Sequence, residues 1–241
     1  MASSGYRGAG RLAGLIEDPR FLGPASQLLG DDLIGVNCTA NRFVGDTEWH
    51  CDGGGQPVGQ EEMRWCKYIF YCEPVAAESG CLRVIPGTHL VQGDDRVRFN
   101  RRLQQMPLAD VPCLPLPTEP GDIVAFDTRL FHASLGGGVD RRGLNVDYMR
   151  QPRSEAERLA IVNNAAHAAR QAADSHNGAG VCPWKYSAAW LAGRGRGGVR
   201  RRWVESLAAI GYFEAAMAQP NCTYVEPGAS IPAAEAAYSR L

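Results

Sequence analysis

The stretch "PGDIVAFDTRLFHAS", Pro120 to Ser134, sets the reading of this chain. A Pro-Gly-Asp turn leads into a short apolar strand, "DIVAF", and a histidine stands just past its end. The same grammar recurs upstream and downstream. "LIGVNCTA" (33–40), "MRWCKYIFYC" (63–72), "CLRVIP" (81–86) and "LNVDYM" (144–149) are strand-length, rich in β-branched or aromatic residues, and bounded by Gly, Pro, Asp or Asn. Several short strands punctuated this way predict a mainly β fold of the sandwich or jelly-roll type over about 32–150.

Outside that span the period changes. Residues 1–30 read as a short helical lead-in, with "RLAGLIED" its most periodic part. "SEAERLAIVNNAAHAARQAADSH" opens with Ser154 and Glu157 at capping-box spacing, and Gly178 and Gly180 follow it. A second helix is expected over "VRRRWVESLAAIGYFEAAM". We therefore expect one domain over 1–241, with a helical extension over 153–218. "GRGRGGVRRR" (193–202) lies between the two helices. It reads either as a loop feeding a basic helix start or as a clamp for an acidic substrate.

Composition excludes several classes. The net charge of −1 gives no field to draw nucleic acid or membrane, and no apolar run has the length of a spanning helix. The N-terminus has no apolar signal region, and the 8 cysteines have no CxxC spacing. The expectation is a soluble intracellular protein, cytoplasmic, with reduced thiols. The terminal Ser239-Arg240-Leu241 is close to a peroxisomal address, which would apply in a eukaryotic cell.

The chemistry starts at "TEWHCDGGG" (47–55). In a strand, residues two apart share a face, so His50 and Asp52 would project together, with Trp49 and Cys51 turned away. Four other histidines compete to complete a site. His167 and His176 lie on or near the Ala-rich helix and are expected to face solvent, and His89 follows a turn. His132 is best placed, at the end of a buried strand. Two His and one carboxylate leave three positions of an octahedral metal open, as in non-haem Fe(II) oxygenases, where a 2-oxo acid takes two and O₂ the third. The distal carboxylate of that acid needs a cation, and a planar bidentate Arg suits it. Arg141 and Arg142 open the strand "RRGLNVDYM", so one of the two points inward, and Ser134 shares the face of His132.

"WHCD", "SGCLRVIPGTH", "PGDIVAFDTRLFHAS" and "RRGLNVDY", in this order, resemble the phytanoyl-CoA dioxygenase family of Fe(II)/2-oxoglutarate-dependent oxygenases. The resemblance covers roughly 35–150. It implies a double-stranded β-helix (jelly-roll, cupin-like) barrel with flanking helices, and His50, Asp52 and His132 as iron ligands. It implies that Ser134 and an arginine hold 2-oxoglutarate; Arg141 with Leu144 fits the family spacing, and Arg142 stays open. Asn37 is similar to a position that contacts the cosubstrate. Relatives that halogenate carry a small residue in place of the acid. Asp52 therefore implies an oxygenase outcome: hydroxylation, or a related desaturation or ring closure.

For the small-molecule substrate, Trp65, Lys67, Ile69 and Tyr71 share one strand face, which either lines the pocket or packs outward. Lys67 would need a partner if buried. Asn145 and Asp147 lie on the Arg141 face, and Arg83 reads equally as a solvated residue. Two other readings stand beside the oxygenase: a zinc hydrolase on the same His/Asp/His set, which leaves Ser134 and Arg141 unexplained, and a non-catalytic barrel that binds a metal or ligand.

Overall fold

Eight strands of the described residues fold back on themselves as one long antiparallel ribbon. β1 (Ile34–Phe43) pairs with β8 (Arg141–Met149), β2 (Thr47–His50) with β7 (His132–Ser134), β3 (Trp65–Tyr71) with β6 (Val124–Asp127), and β4 (Leu82–Val84) with β5 (Leu114–Leu116). This nested pairing winds the chain over two sheets, β1-β8-β3-β6 and β2-β7-β4-β5, the strand order of a double-stranded β-helix. The computed structural model describes residues 14–52, 63–138, 141–175 and 198–218.

The expected barrel is not closed. The two four-stranded sheets share no hydrogen-bonded edge among the described residues. What joins them is side-chain packing. Ile69, Tyr71 and Phe126 of the first sheet meet Leu82 and Val84 of the second in one buried cluster. The opposite face of the second sheet carries Trp49 and Ala133, packed on Leu103 and Phe131.

Leu103 ends a helix the sequence reading lacks, α2 (Gly93–Leu103), which follows α1 (Pro19–Leu29) in the chain. α1 itself corrects the lead-in. "RLAGLIED" contributes only a 3-10 turn at Leu15–Glu17, and the helix starts after it, with Pro19 at its first position and Asp18 accepting from Arg20 N at 2.9 Å. Three further helices are α3 (Glu155–Ser175), α4 (Val199–Ile210) and α5 (Tyr212–Met217). Ser154 Oγ caps α3 from Glu157 N at 3.1 Å, as the capping-box spacing predicts.

The helices cover the outer face of the first sheet. Val36, Tyr68, Val146 and Tyr148 on that face share a cluster with Phe21, Ile161, Trp203 and Leu207. Gly35 shows how close the approach is. A Cβ there would lie 2.6 Å from the Trp203 ring. Tyr148 Oη donates to Ile16 O at 2.8 Å, and Arg200 of α4 pairs with the buried Glu17, so the turn at Leu15–Glu17 is tied to both β8 and α4. None of the described helices is long and apolar enough to cross a membrane. The segment 193–197, His176 and the terminal Ser239–Leu241 lie outside the described residues.

Candidate metal and cosubstrate site

β2 and β7 set His50 directly opposite His132, with ring centroids 4.2 Å apart. The strand ends at His50, so Asp52 is not its in-strand partner. A main-chain bond, Asp52 N to Thr128 O at 3.1 Å, carries Asp52 onto the same side instead. Trp49 turns away as expected and is buried, its Nε1 donating to Leu108 O at 3.3 Å. His132 is not just past the preceding strand. It opens a three-residue strand of its own, after the turn at Thr128–Leu130.

One ligand atom from each of His50, Asp52 and His132 lies within 4.8 Å of the others, a spacing that suits one metal ion. Both rings are oriented for it. His50 Nδ1 meets Glu48 O at 2.7 Å, and His132 Nδ1 meets Leu130 O at 2.9 Å. A carbonyl only accepts, so each neutral ring carries its proton on Nδ1 and leaves the Nε2 lone pair for a metal. Burial holds the His132 ring down at about 4, which keeps it neutral and ready to ligate. Burial pushes the Asp52 carboxyl up, but Lys67 and the two histidines more than offset this and leave it at about 2.

Arg141 is buried on the inner face of β8, and Arg142 turns outward to the exposed side, where it pairs with Glu73. Arg141 Nη2 donates to Ser134 Oγ at 3.2 Å and to Gly45 O at 3.4 Å. Its Nε and Nη1 are buried and have no hydrogen-bond partner among the described residues. The guanidinium lies 5.3 Å from the centre of the Phe43 ring and 5.9 Å from that of Tyr71. Gly80, at φ +89°, leaves room for it; a Cβ there would stand 2.1 Å from Nη1. A buried guanidinium with unsatisfied donors in an aromatic cleft fits a carboxylate as its counter-ion. The residues present thus fit both a divalent metal and a 2-oxo diacid.

Of the substrate-face residues, Lys67 sits opposite Asp147 of β8 and opposite Phe126 of β6, on the inner side with Ile69 and Tyr71. Its Nζ lies 2.6 Å from Asp52 Oδ2 and 4.0 Å from Asp147 Oδ1. Burial pulls this lysine down, but the two carboxylates raise it above the ordinary lysine range. Asn145 stands between Thr39 and Ile69, and its buried Oδ1 has no hydrogen-bond partner among the described residues. Asn37 is opposite Asp147, and its side chain lies outside what the structure describes. Trp65 is buried at the end of the Lys67 face and lines a cavity of about 570 Å³ with Phe126, Arg129, Arg150 and Arg153. The metal-site residues do not line that cavity. Phe126 lies between, its ring 5.0 Å from that of His132.

The remaining candidates are elsewhere. Arg83 bonds Ala77 O at 2.6 Å and is not a solvated side chain. His167 is half-buried rather than solvent-facing, and its Nε2 is buried. Among the described residues, Cys38, Cys51, Cys66, Cys72, Cys81 and Cys113 form no disulfide. Phe43, Gly80 and Gly45, which shape the Arg141 cleft, went unread in the sequence. The alternation of β1 that places Phe43 opposite Arg141 is the signal that would have found the first of them.

The model of the phytanoyl-CoA dioxygenase family matches residues 7–143. Among solved structures, SnoN, a non-heme alpha ketoglutarate dependent epimerase from nogalamycin biosynthesis, is 19% identical. It matches over 62% of this chain and 60% of its own length, with a TM-score of 0.48. AviO1 from Streptomyces viridochromogenes Tue57 is 25% identical over 48% of this chain and 51% of its own, with a TM-score of 0.38. HygX from Streptomyces hygroscopicus, solved with nickel, 2-oxoglutarate and hygromycin B bound, is 16% identical over 58% of this chain and 64% of its own, with a TM-score of 0.48. The chain spans about a third to two thirds of the length of such matched structures. No curated protein matches it in sequence.

Proposed function

The chain belongs to the phytanoyl-CoA dioxygenase family, and from that premise we propose that it is an Fe(II)- and 2-oxoglutarate-dependent dioxygenase acting on a C–H bond of a small molecule. The observation that carries this is the pairing of two features on facing sheets. A His50/Asp52/His132 cluster can hold one metal, and a buried arginine offers two unpaired donors. A hydrolase reading has use for the first and none for the second.

In this reading His50, Asp52 and His132 are the metal ligands. Fe(II) with 2-oxoglutarate and O₂ supplies the oxidising chemistry, with succinate and CO₂ as co-products and hydroxylation as the outcome. The chain's own residues bind and orient. Glu48 O and Leu130 O fix the imidazoles so that Nε2 of each faces the metal. Arg141 would pair with the distal carboxylate, and Ser134 holds its Nη2 in place. Phe43 and Tyr71 keep water from that ion pair and so strengthen it. Asn37 completes the cosubstrate side. Lys67 and Asn145 border the substrate side of the metal, whereas Trp65, parted from it by Phe126, stands outside.

The test is anaerobic titration of the metal-free protein with Fe(II) and then 2-oxoglutarate, following the visible charge-transfer band. We expect the band in the wild type and its loss in Asp52→Ala and His132→Ala. Arg141→Ala should raise the 2-oxoglutarate requirement at least tenfold, the size of a charge-assisted bidentate contact of about 1.5–3 kcal/mol. Iron binding without a band at any 2-oxoglutarate concentration would overturn the reading in favour of a hydrolase or a binding protein.

A further inference from the structure

Lys67 poses a problem that the proposed ligand set does not solve. Its ammonium contacts Asp52 Oδ2 at 2.6 Å, and that same oxygen faces His132 Nε2 at 3.8 Å. The lysine thus holds the carboxylate oxygen that the histidines surround, the oxygen a metal would want. It is not a solvated side chain that can swing into water, being 17% exposed. A buried ammonium keeps its charge only beside a counter-ion. A second one is at hand: Asp147 Oδ1 lies 4.0 Å away, on the adjacent strand and on the same face, with only 5% of the residue exposed.

We infer that Lys67 is a resident cation of the metal site that changes partner as the metal binds. It neutralises Asp52 in the metal-free protein and passes to Asp147 when a divalent ion takes Asp52. The inference rests on the metal-ligand reading above. Two cations compete poorly for one carboxylate oxygen in a site of low dielectric, so the metal displaces the ammonium. The lysine's four-carbon stem lets Nζ close the short gap to Asp147 without moving β3. Asp147 is then what makes the exchange affordable, and the balance between Lys67 and Asp147 sets metal affinity. Lys67 acts on the metal through Asp52, so it is a positioning residue.

The experiment is calorimetric titration of the metal-free full chain with Ni(II), which needs no turnover. Lys67→Met removes the competitor, and binding should tighten at least tenfold. Asp147→Asn strands the ammonium on Asp52, and binding should weaken at least tenfold. In the double variant the effect of Asp147→Asn should shrink to threefold or less, because there is no lysine left to strand. A merely structural role would weaken binding in both single variants. Lys67→Gln serves as a second lysine variant should Lys67→Met lose its circular-dichroism signature. If Lys67→Met and Lys67→Gln weaken Ni(II) binding in a folded protein, or if the Asp147→Asn effect is undiminished without the lysine, the exchange is wrong. If the wild type takes up no Ni(II), or takes it up unaffected by Asp52→Ala, the metal-ligand reading fails, and the inference falls with it for that separate reason.

Discussion

The two faces of β8 divide the labour of this molecule. Arg141, Asn145 and Asp147 point between the sheets, and Val146 and Tyr148 point out to the helices. On this strand the usual arrangement is inverted. Its inward side carries charge, beside the apolar cluster of Ile69, Phe126 and Val84, and its outer side is apolar, with Val146 and Tyr148 wholly buried. Buried polar groups between the sheets stabilise little, because pairing must first offset their desolvation. The apolar face then has to hold the fold. It does so with aromatic contacts: Tyr148 meets Tyr68 at 5.9 Å and Trp203 at 6.4 Å between ring centroids. The family match ends at residue 143, yet β8 runs on to Met149, and α3 to α5 beyond it supply much of that cover.

The sharpest way to break this contrast is Trp203→Ala. The ring is buried and packs on Gly35, which has no side chain to fill the hole. The loss should be about 3–5 kcal/mol in urea unfolding, the range for a large aromatic truncated in a core. Asp52→Ala, on the inner face, should cost far less stability while removing metal binding. A Trp203→Ala loss within 0.5 kcal/mol, the scatter of surface changes, would mean that the helices are not the stabilising layer.

The second prediction concerns pH and the inner face. His132 is held down at about 4 by burial, against an ordinary value of 6.5. A folded-state value below the unfolded one means that the unfolded chain binds the proton more readily. The contribution is therefore present above pH 6.5 and is lost as pH falls from 6.5 toward 4. In metal-free protein with chelator this is worth on the order of 3 kcal/mol. Thermal unfolding across that window should show the slope in the wild type and a flatter one in His132→Gln. An unchanged slope would show that the ring is not buried neutral.

Much of this was legible, and what was not has physical causes. β3 announces itself as an apolar run broken only by Lys67 because both of its faces are covered, one by the facing sheet and one by helices, whereas β8 shows its strand period by alternating polar and apolar residues. The ends were harder. β2 stops at His50 because the chain must turn there for Asp52 to reach Thr128, and no local signal encodes a partner so far along the chain. α2 was missed because it buries only Arg96 and Leu103 and so has almost no apolar stripe. Its charges still mark it, with Asp94 and Asp95 in the first turn and Arg101 and Arg102 in the last, as the helix dipole favours. The need of Lys67 for a counter-ion was readable from its strand face. That it has two, one of them a candidate metal ligand, depends on which strands are neighbours, and only the fold supplies that.

The smallest expected effect isolates the alternation of β8 itself. Arg141 and Arg142 are adjacent in the chain and on opposite faces, so they differ in surroundings and not in chemistry. Arg142 is 64% exposed and pairs with Glu73 in solvent. Water screens that pair, and holding two long side chains together costs entropy, so Arg142→Ala should change stability by less than about 1 kcal/mol. It should also leave the 2-oxoglutarate requirement unchanged, where Arg141→Ala raises it. A rise with Arg142→Ala as large as with Arg141→Ala would mean that the inward side of β8 begins one residue later. Because the period of a strand is two, that one-residue slip would also turn Asn145 and Asp147 outward and take the counter-ion away from Lys67.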